Sequence, residues 1–321
     1  MLYVFLMNKI SIRHLRYFEA LAQQRHFGRA AAVSAVSQPA LSLQMKELEE
    51  ILGAQLIERS TRTIRLTPLG EAFAERTRDI LRSVDELENL ARASTGMLSG
   101  PLRIGVIPTV APYFLPKVIQ ALSTHYPQLD PRPREAVTQK LVADLNAGQL
   151  DVAIMALPVS EPSLAEHPLF AEEFVLVRPA ADTGKPVPNP ETLGTMRLLL
   201  LEEGHCFRDQ ALSFCKLSAA APRDLMEGSS LSTLVQMVQA GIGVTLIPQM
   251  ALAIETSRAE VSVARLPTPR PSRTIGLVWR KTNPLGQQFT DLISLLQAIG
   301  GTADADIEPT SATSTREMHQ S

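Results

Sequence analysis

Between residues 12 and 23 the apolar side chains Leu15, Phe18, Leu21 and Ala22 recur at the spacing of one helix face. The stretch 28–35 is small and alanine-rich, which suits a helix packed closely on a neighbour. A second periodic run opens at Ser37-Gln38-Pro39. Ser37 is a good N-cap there, and Pro39 is tolerated in a first turn. Ala40, Leu43, Leu48 and Ile51 are expected to form the apolar face of that helix, and Gly53 to stop it. Two short helices joined by a tight turn predict a helix-turn-helix. Residues 56–67 alternate and carry Arg59, Arg62 and Arg65, the pattern of a short β-hairpin wing. From Pro68 onward, Leu69, Phe73, Ile80, Val84, Leu87 and Leu90 repeat every three to four residues. This predicts an amphipathic helix of about 28 residues, on the order of 40 Å long. A long helix with one apolar stripe and no domain of its own predicts a dimer seam.

Ser99-Gly100-Pro101 breaks that helix, and the pattern changes. Strand-like runs lie at 102–107, 150–156, 174–178, 197–201, 243–248 and 274–280. Helical runs lie between and after them, at 113–124, 138–147, 207–217, 231–240 and 287–299. This alternation predicts a parallel sheet with crossover helices, in an α/β body that divides into two lobes with a cleft between them. The last twenty residues, rich in Ser, Thr, Ala and Asp, read as a solvated tail. The expected organisation is a winged helix-turn-helix at 8–67, a linker and dimerisation helix at 68–98, a two-lobed α/β regulatory domain at 99–301 and a tail at 302–321.

Length and composition agree with this division. A chain of 321 residues suits two or three domains, and 45% hydrophobic residues suffice for their cores. Overall charge is near neutral at −2, but residues 1–67 hold nine bases and five acids, a net +4, leaving −6 for the remainder. A basic end on an acidic body suggests a polyanion-binding module. On the second helix of the predicted reader, Ser37, Gln38, Ser42 and Gln44 suit base edges and Lys46 suits phosphate, with Pro39 among them. Arg59 and Arg62 in the wing can reach the DNA backbone or minor groove. The plainer roles are an N-cap for Ser37 and a pairing with the linker helix for Arg59.

Two cysteines, Cys206 and Cys215, exclude the disulfide framework of a small secreted scaffold. No apolar run has the length of a membrane span. Residues 2–7 are apolar but lack a basic leader and a cleavage site, so a cytoplasmic protein is expected, with Met7 as an alternative start. No metal or cofactor is expected.

Residues 12–70 resemble the DNA-binding half of the LysR-type transcriptional regulators. The signature is Ala30-Ala31, Ser37-Gln38-Pro39-Ala40-Leu41-Ser42, Leu48-Glu49, Leu56, Arg59 and Leu66-Thr67-Pro68-Leu69-Gly70. The resemblance continues to about residue 300 through the linker helix and the effector domain, which in this family is two-lobed and similar to periplasmic binding proteins. Three further segments narrow it to the peroxide-sensing OxyR branch: Gly100-Pro101-Leu102 with Ile107-Pro108-Thr109-Val110, then 203–210 (EGHCFRDQ) with Phe214-Cys215, then 273–278 (RTIGLV). The His205-Cys206…Cys215 segment is the most specific, since most of the family lacks it. The resemblance implies a transcription activator of oxidative-stress defence genes, not an enzyme. Its implied partners are double-stranded promoter DNA, RNA polymerase and further copies of itself in a dimer of dimers, with hydrogen peroxide as the signal.

Cysteine chemistry fits that implication. Cys206 follows His205 where a predicted strand hands over to a predicted helix. A helix N-terminus and nearby cations, here Arg208 and the more distant Arg273, favour the thiolate that attacks peroxide. The product is a sulfenic acid, which a second thiol can trap. If the nine-residue step to Cys215 is helical, the Cα atoms lie roughly 13 Å apart and half a turn out of phase. A disulfide needs about 4.4–6.8 Å, so the bond requires the helix to unwind, which suits a switch better than a static staple. From the resemblance, Cys206 is the peroxidatic thiol, Cys215 the resolving one, and Thr109, Thr138, His205 and Arg273 surround the peroxide. Plainer readings stand beside each role. Thr109 and Thr138 could simply cap helices, Arg273 could be a surface strand residue, His205 a structural hydrogen-bond partner, and either cysteine a small buried hydrophobe. Two other functions compete: a LysR-type regulator that binds a small metabolite between the lobes, and a thiol peroxidase, against which the N-terminal reader argues.

Overall fold

Capping chemistry sets the limits of the N-terminal elements. Helix α1 (Ile12–Gln24) starts at Ser11, whose hydroxyl accepts from the His14 amide while His14 Nδ1 accepts from the Ser11 amide. Helix α2 (Phe27–Val33) is followed by a tight turn in which Ala35 takes a left-handed φ of 53°. Helix α3 (Gln38–Leu52) starts at Ser37, whose hydroxyl accepts from the Ala40 amide at 3.3 Å, and ends at Gly53. The wing is an antiparallel pair, β1 (Ile57–Arg59) and β2 (Ile64–Leu66). Helix α4 (Pro68–Ala93) follows directly. The computed structural model describes residues 10–59, 64–94, 96–215 and 226–301. Arg62 of the wing and the predicted tail lie outside the described residues.

Four features of the signature segment have a physical reason. Glu49 Oε1 accepts from the amides of Leu56 and Ile57 at 2.8 and 3.1 Å, fixing the first wing strand to α3. Thr67 caps α4 by accepting from the Gly70 amide at 3.0 Å, and donates to the Gln55 carbonyl at 2.9 Å. Pro68 occupies the first helical position. Gly70 has no room for a side chain, since a Cβ there would stand 2.1 Å from the Leu56 carbonyl oxygen. Phe18, Leu21, Ala30, Leu41, Met45, Leu48 and Leu56 form the buried core, and Phe18 meets Phe73 of α4 edge-on at 5.2 Å.

The buried face of α3 differs from the sequence expectation. Leu41, Met45 and Leu48 point inward, whereas Leu43 is 64% exposed and Ala40 is also exposed. Two apolar stripes compete on this helix, and packing against α1 and α2 selects the one whose larger side chains mesh with Phe18 and Leu21. On α4, Leu69, Ile80, Leu87 and Leu90 are exposed.

The second compact unit begins at Leu98. Strand β3 (Gly100–Val106), helix α5 (Ala111–His125), strand β4 (Leu129–Glu135), helix α6 (Thr138–Asn146) and strand β5 (Val152–Leu157) form a parallel βαβαβ run with β3 central. The long strand β6 (Leu164–Pro179) and the short helix α7 (Pro190–Thr195) lead to a second run of the same form. It consists of β7 (Leu198–Leu201), α8 (Cys206–Phe214), β8 (Met226–Gly228), α9 (Leu231–Gln239) and β9 (Val244–Pro248), with β7 central. Helix α10 (Leu252–Glu255), strand β10 (Val261–Arg265), strand β11 (Ser272–Arg280) and helix α11 (Gly286–Gly300) complete the unit.

The sheet is therefore mixed, which corrects the expectation of a parallel one. Each lobe has three parallel strands, and the long strands joining them are antiparallel: β11 to β5 and β6, and β6 to β9 and β10. Strand β6 serves both lobes. It pairs with β11 as far as Glu173 and with β9 from Phe174. The sequence reading also missed β4, whose Pro131 and Pro133 argue against a strand. Those prolines are tolerated because β4 is an edge strand, bonded to β3 alone among the described strands. No helix among the described residues is long and apolar enough to cross a membrane.

Candidate functional site

In each lobe the turns that follow the parallel strands place helix N-termini at the strands' carboxyl ends, where ligands bind in open α/β sheets. Thr109 lies in the turn from β3 to α5, Thr138 begins α6 after β4, and His205 and Cys206 begin α8 after β7. Arg273 comes from the start of β11, directly opposite Glu172 of β6.

Arg273 is not a surface strand residue. Its side chain is 0% exposed and that of Glu172 4%. Nε donates to Glu172 Oε2 at 2.9 Å, Nη1 to the Thr109 hydroxyl at 2.7 Å and Nη2 to the Thr109 carbonyl at 3.0 Å. Glu172 Oε1 in turn accepts from the Met250 amide at 2.9 Å. The guanidinium lies 5.4 Å from the centroid of the Phe207 ring, a cation–π contact that ties it to the first turn of α8. Phe207 packs edge-on against Phe174 at 4.8 Å. Thr109 does not cap α5, whose N-cap is Val110 without a side-chain hydrogen bond. Its hydroxyl oxygen accepts from Arg273, so its own proton remains available to a second acceptor.

Cys206 is a half-buried free thiol at the first position of α8. His205 before it makes no side-chain cap, and burial lowers its pKa against the raising influence of Glu202 and Glu135. Gly204 takes a left-handed φ of 97°, and a Cβ there would stand 3.9 Å from Val137 Cγ2. The loop carrying the thiol thus lies beside the start of α6, where Thr138 sits. The Thr138 hydroxyl caps nothing: it is buried and has no hydrogen-bond partner among the described residues. Gln210, one turn after Cys206, has its amide oxygen in the same condition. A buried, unsatisfied polar atom is costly unless something bonds it. One of these atoms is at the start of α6 and the other is one turn into α8, the helix that Cys206 begins.

Cys215 is at the other end of α8, as its C-cap, and is 2% exposed. Burial pushes its thiol up to about 11. Both cysteines are free, and intact helix separates them. The cation nearest in sequence, Arg208, is engaged elsewhere. It donates to Glu227 Oε1 at 2.5 Å and to the Leu201 carbonyl at 3.1 Å.

The sequence reading did not find Glu172, Phe207 or Gln210. Glu172 had a signal. It falls on the inward alternation Phe170, Phe174, Leu176 of β6, where a carboxylate is out of place without a buried partner.

In the N-terminal unit the polar residues of α3 are on its open side. Ser37, Gln38, Pro39, Ser42 and Lys46 are exposed and Gln44 is half-buried. Ser37 keeps its capping bond, Gln44 Nε2 donates to Glu47 at 2.8 Å, and Lys46 pairs with Glu50 at 3.5 Å. Arg59 is the last residue of β1.

Known proteins match the chain over nearly its whole length. Residues 12–71 match the bacterial regulatory helix-turn-helix protein, lysR family, and residues 95–300 the LysR substrate binding domain. The DNA-binding transcriptional dual regulator OxyR of Escherichia coli (strain K12) is 42% identical over 295 residues, covering 90% of this chain and 95% of that protein. A probable hydrogen peroxide-inducible genes activator of Streptomyces viridosporus is 41% identical over 291 residues, covering 89% and 93%. Among solved structures, a cysteine-to-aspartate variant of full-length Pseudomonas aeruginosa OxyR matches with a TM-score of 0.69 at 37% identity, covering 90% of this chain and 95% of that one. A cysteine-to-serine variant of Corynebacterium glutamicum OxyR with hydrogen peroxide bound matches with a TM-score of 0.63 at 36% identity, covering 92% and 94%.

Proposed function

Because this chain belongs to the LysR family of bacterial regulators, in its hydrogen peroxide-sensing OxyR branch, we propose that it turns peroxide into a transcriptional signal through Cys206 and Cys215. The observation that carries this reading is the placement of two free thiols at opposite ends of one nine-residue helix, one half-buried at the cluster and one sealed in the core. The Cys206 thiolate attacks one oxygen of hydrogen peroxide. The S–O bond forms as the O–O bond breaks, and the departing hydroxide takes a proton to become water. The hydroxyls of Thr109 and Thr138 and the imidazole of His205 bond the two oxygens, and Arg273 holds Thr109 in place. The Cys215 sulfur then attacks the sulfenic sulfur and expels a second water. Two thiols and one peroxide thus yield one disulfide and two waters.

Reach decides the order of events. A helical step of nine residues spans roughly 13 Å, whereas bonded cysteines have Cα atoms about 4.4–6.8 Å apart. Helix α8 must unwind before the bond closes, and its core residues Phe207, Ala211 and Leu212 must move with it. At the other end of the chain, α3 enters the major groove of promoter DNA with Gln38, Ser42 and Gln44 toward base edges. Ser37 and Pro39 sit at the helix start, and Lys46, Arg59 and Arg62 reach the phosphates or the minor groove. The exposed stripe Leu69, Ile80, Leu87 and Leu90 on α4 is covered by a second copy, and two such dimers pair, placing the assembly beside RNA polymerase.

The test is direct. Reduced protein treated with one equivalent of hydrogen peroxide should lose two thiols, and its peptide map should gain a Cys206–Cys215 cross-link. The Cys206→Ser variant should lose none. An unchanged thiol titre in the unsubstituted protein would overturn the redox mechanism and leave the DNA-binding half standing.

A further inference from the structure

We infer that the second lobe carries a separate binding site for a small organic carboxylate with an apolar body, built around Arg178. This residue lies at the end of β6 and is 6% exposed. Its hydrogen bonds are long and few. Nε donates to the Ser262 hydroxyl at 3.3 Å and Nη1 to the Pro186 carbonyl at 3.3 Å. Nη2 has no partner, and no carboxylate pairs with the group, among the described residues. Three other arginines of this unit are neutralised closely: Arg273 by Glu172 at 2.8 Å, Arg103 by Asp151 at 2.7 Å and Arg208 by Glu227 at 2.5 Å. The nearest acid in the sequence, Asp182, is bound by Lys185 at 2.5 Å. A buried cation without a counter-charge is unfavourable, and an anion that supplies one is held strongly.

Arg178 lines a cavity of about 490 Å³, a size that suits small organic ligands. Leu176, Val187, Pro188 and Met196 give it an apolar wall, Asn189 and Thr192 stand at its polar side, and the Asp182–Lys185 ion pair, its two charges cancelling, also borders it. A single planar guanidinium facing an apolar wall matches a monocarboxylate on a hydrocarbon or aromatic body, whose two oxygens take parallel bonds. A bare inorganic anion would leave the apolar wall unused. None of these residues belongs to the Thr109, Arg273 and Cys206 cluster, so the inference does not depend on the peroxide reading.

Benzoate and hexanoate are the probes, titrated calorimetrically into the full-length reduced protein, with benzyl alcohol, hexanol and inorganic phosphate as controls. Saturable binding of a carboxylate, at least tenfold tighter than its alcohol and than phosphate, is the expected result. Arg178→Gln should weaken it at least tenfold. Val187→Trp, which fills the cavity and leaves the arginine in place, should do the same and keeps the test valid if the first variant does not fold. No saturable binding of either carboxylate overturns the proposal. So does binding indifferent to Val187→Trp, which would place the ligand elsewhere, or phosphate binding as tight as benzoate.

Discussion

Arg273 and Thr109 are 164 residues apart in the chain and meet through two hydrogen bonds, Nη1 to the threonine hydroxyl at 2.7 Å and Nη2 to its carbonyl at 3.0 Å. The arginine fixes both the backbone and the hydroxyl of the β3–α5 turn, and Glu172 keeps the arginine itself in position. Two side chains, from β11 and β6, thus hold the hydroxyl of the β3–α5 turn in place.

Thr109→Val preserves shape and removes that hydroxyl. Nη1 of Arg273 is left unpaired in the interior, a loss of about 1–3 kcal/mol in urea unfolding. On the proposed mechanism, thiol consumption by peroxide, followed by stopped flow, slows by about tenfold or more as well. An unchanged rate with lowered stability would reduce Thr109 to a structural role.

Glu172 carries a different expectation. Glu172→Ala strands a fully buried guanidinium, and breaking such a pair costs about 3–5 kcal/mol. Glu172→Gln retains an acceptor and should cost clearly less. Denaturant midpoints of the two variants compare them directly, and equal midpoints would mean that charge at Glu172 is unimportant.

Cys215 sets an alkaline limit. Its folded-state value, about 11, lies above the ordinary thiol value of 9.0. The buried neutral thiol therefore contributes stability that is fully present below pH 9 and is lost as pH rises toward 11. Relative to Cys215→Ala, the unsubstituted protein should lose stability across that window. Iodoacetamide at pH 7.5–8 should label Cys206 well before Cys215, read by peptide mass. Equal labelling rates would contradict the burial of the second thiol.

His205 sets an acid one. Burial lowers its folded value from 6.5, so the unfolded chain takes up a proton first as pH falls. The stability this group contributes is present above about pH 6.5 and declines below it. His205→Gln should flatten that part of the stability curve. A decline of equal steepness in the variant would assign it to other groups.

Backbone geometry in the reader gives opposite results at two positions. Gly70→Ala drives a Cβ to 2.1 Å from the Leu56 carbonyl oxygen and should destabilise the N-terminal unit severely. Ala35→Gly relieves a left-handed residue at φ 53° and should be neutral to stabilising, by up to about 1 kcal/mol. Thermal unfolding of both variants checks the pair, and a destabilised glycine variant would refute the strain.

Much of this fold is legible along the chain because its signals are local. The α1 stripe of Leu15, Phe18 and Leu21, the Ser37 and Thr67 caps and the strand-helix alternation all act within a few residues. What escaped depends on distant partners. The direction of β6 and β11 is set by their pairing with each other and with β5 and β9, and nothing in FVLVR or TIGLVWR records it. The inward stripe of α3 follows from the shape of α1 and α2. At the site, Cys206, Thr109 and Arg273 could be named from their segments, but the role of Glu172 emerges only where β6 meets β11.

The two sulfurs at opposite ends of α8 have a kinetic consequence. If the sulfenic acid must wait for the helix to melt, the pace of the response is set by helix stability and core packing rather than by sulfur chemistry alone. Residues that never touch peroxide, such as Ala211 and Leu212, would then act as the timing element. The threshold of the alarm could be retuned by changing helix propensity alone, leaving both thiols untouched.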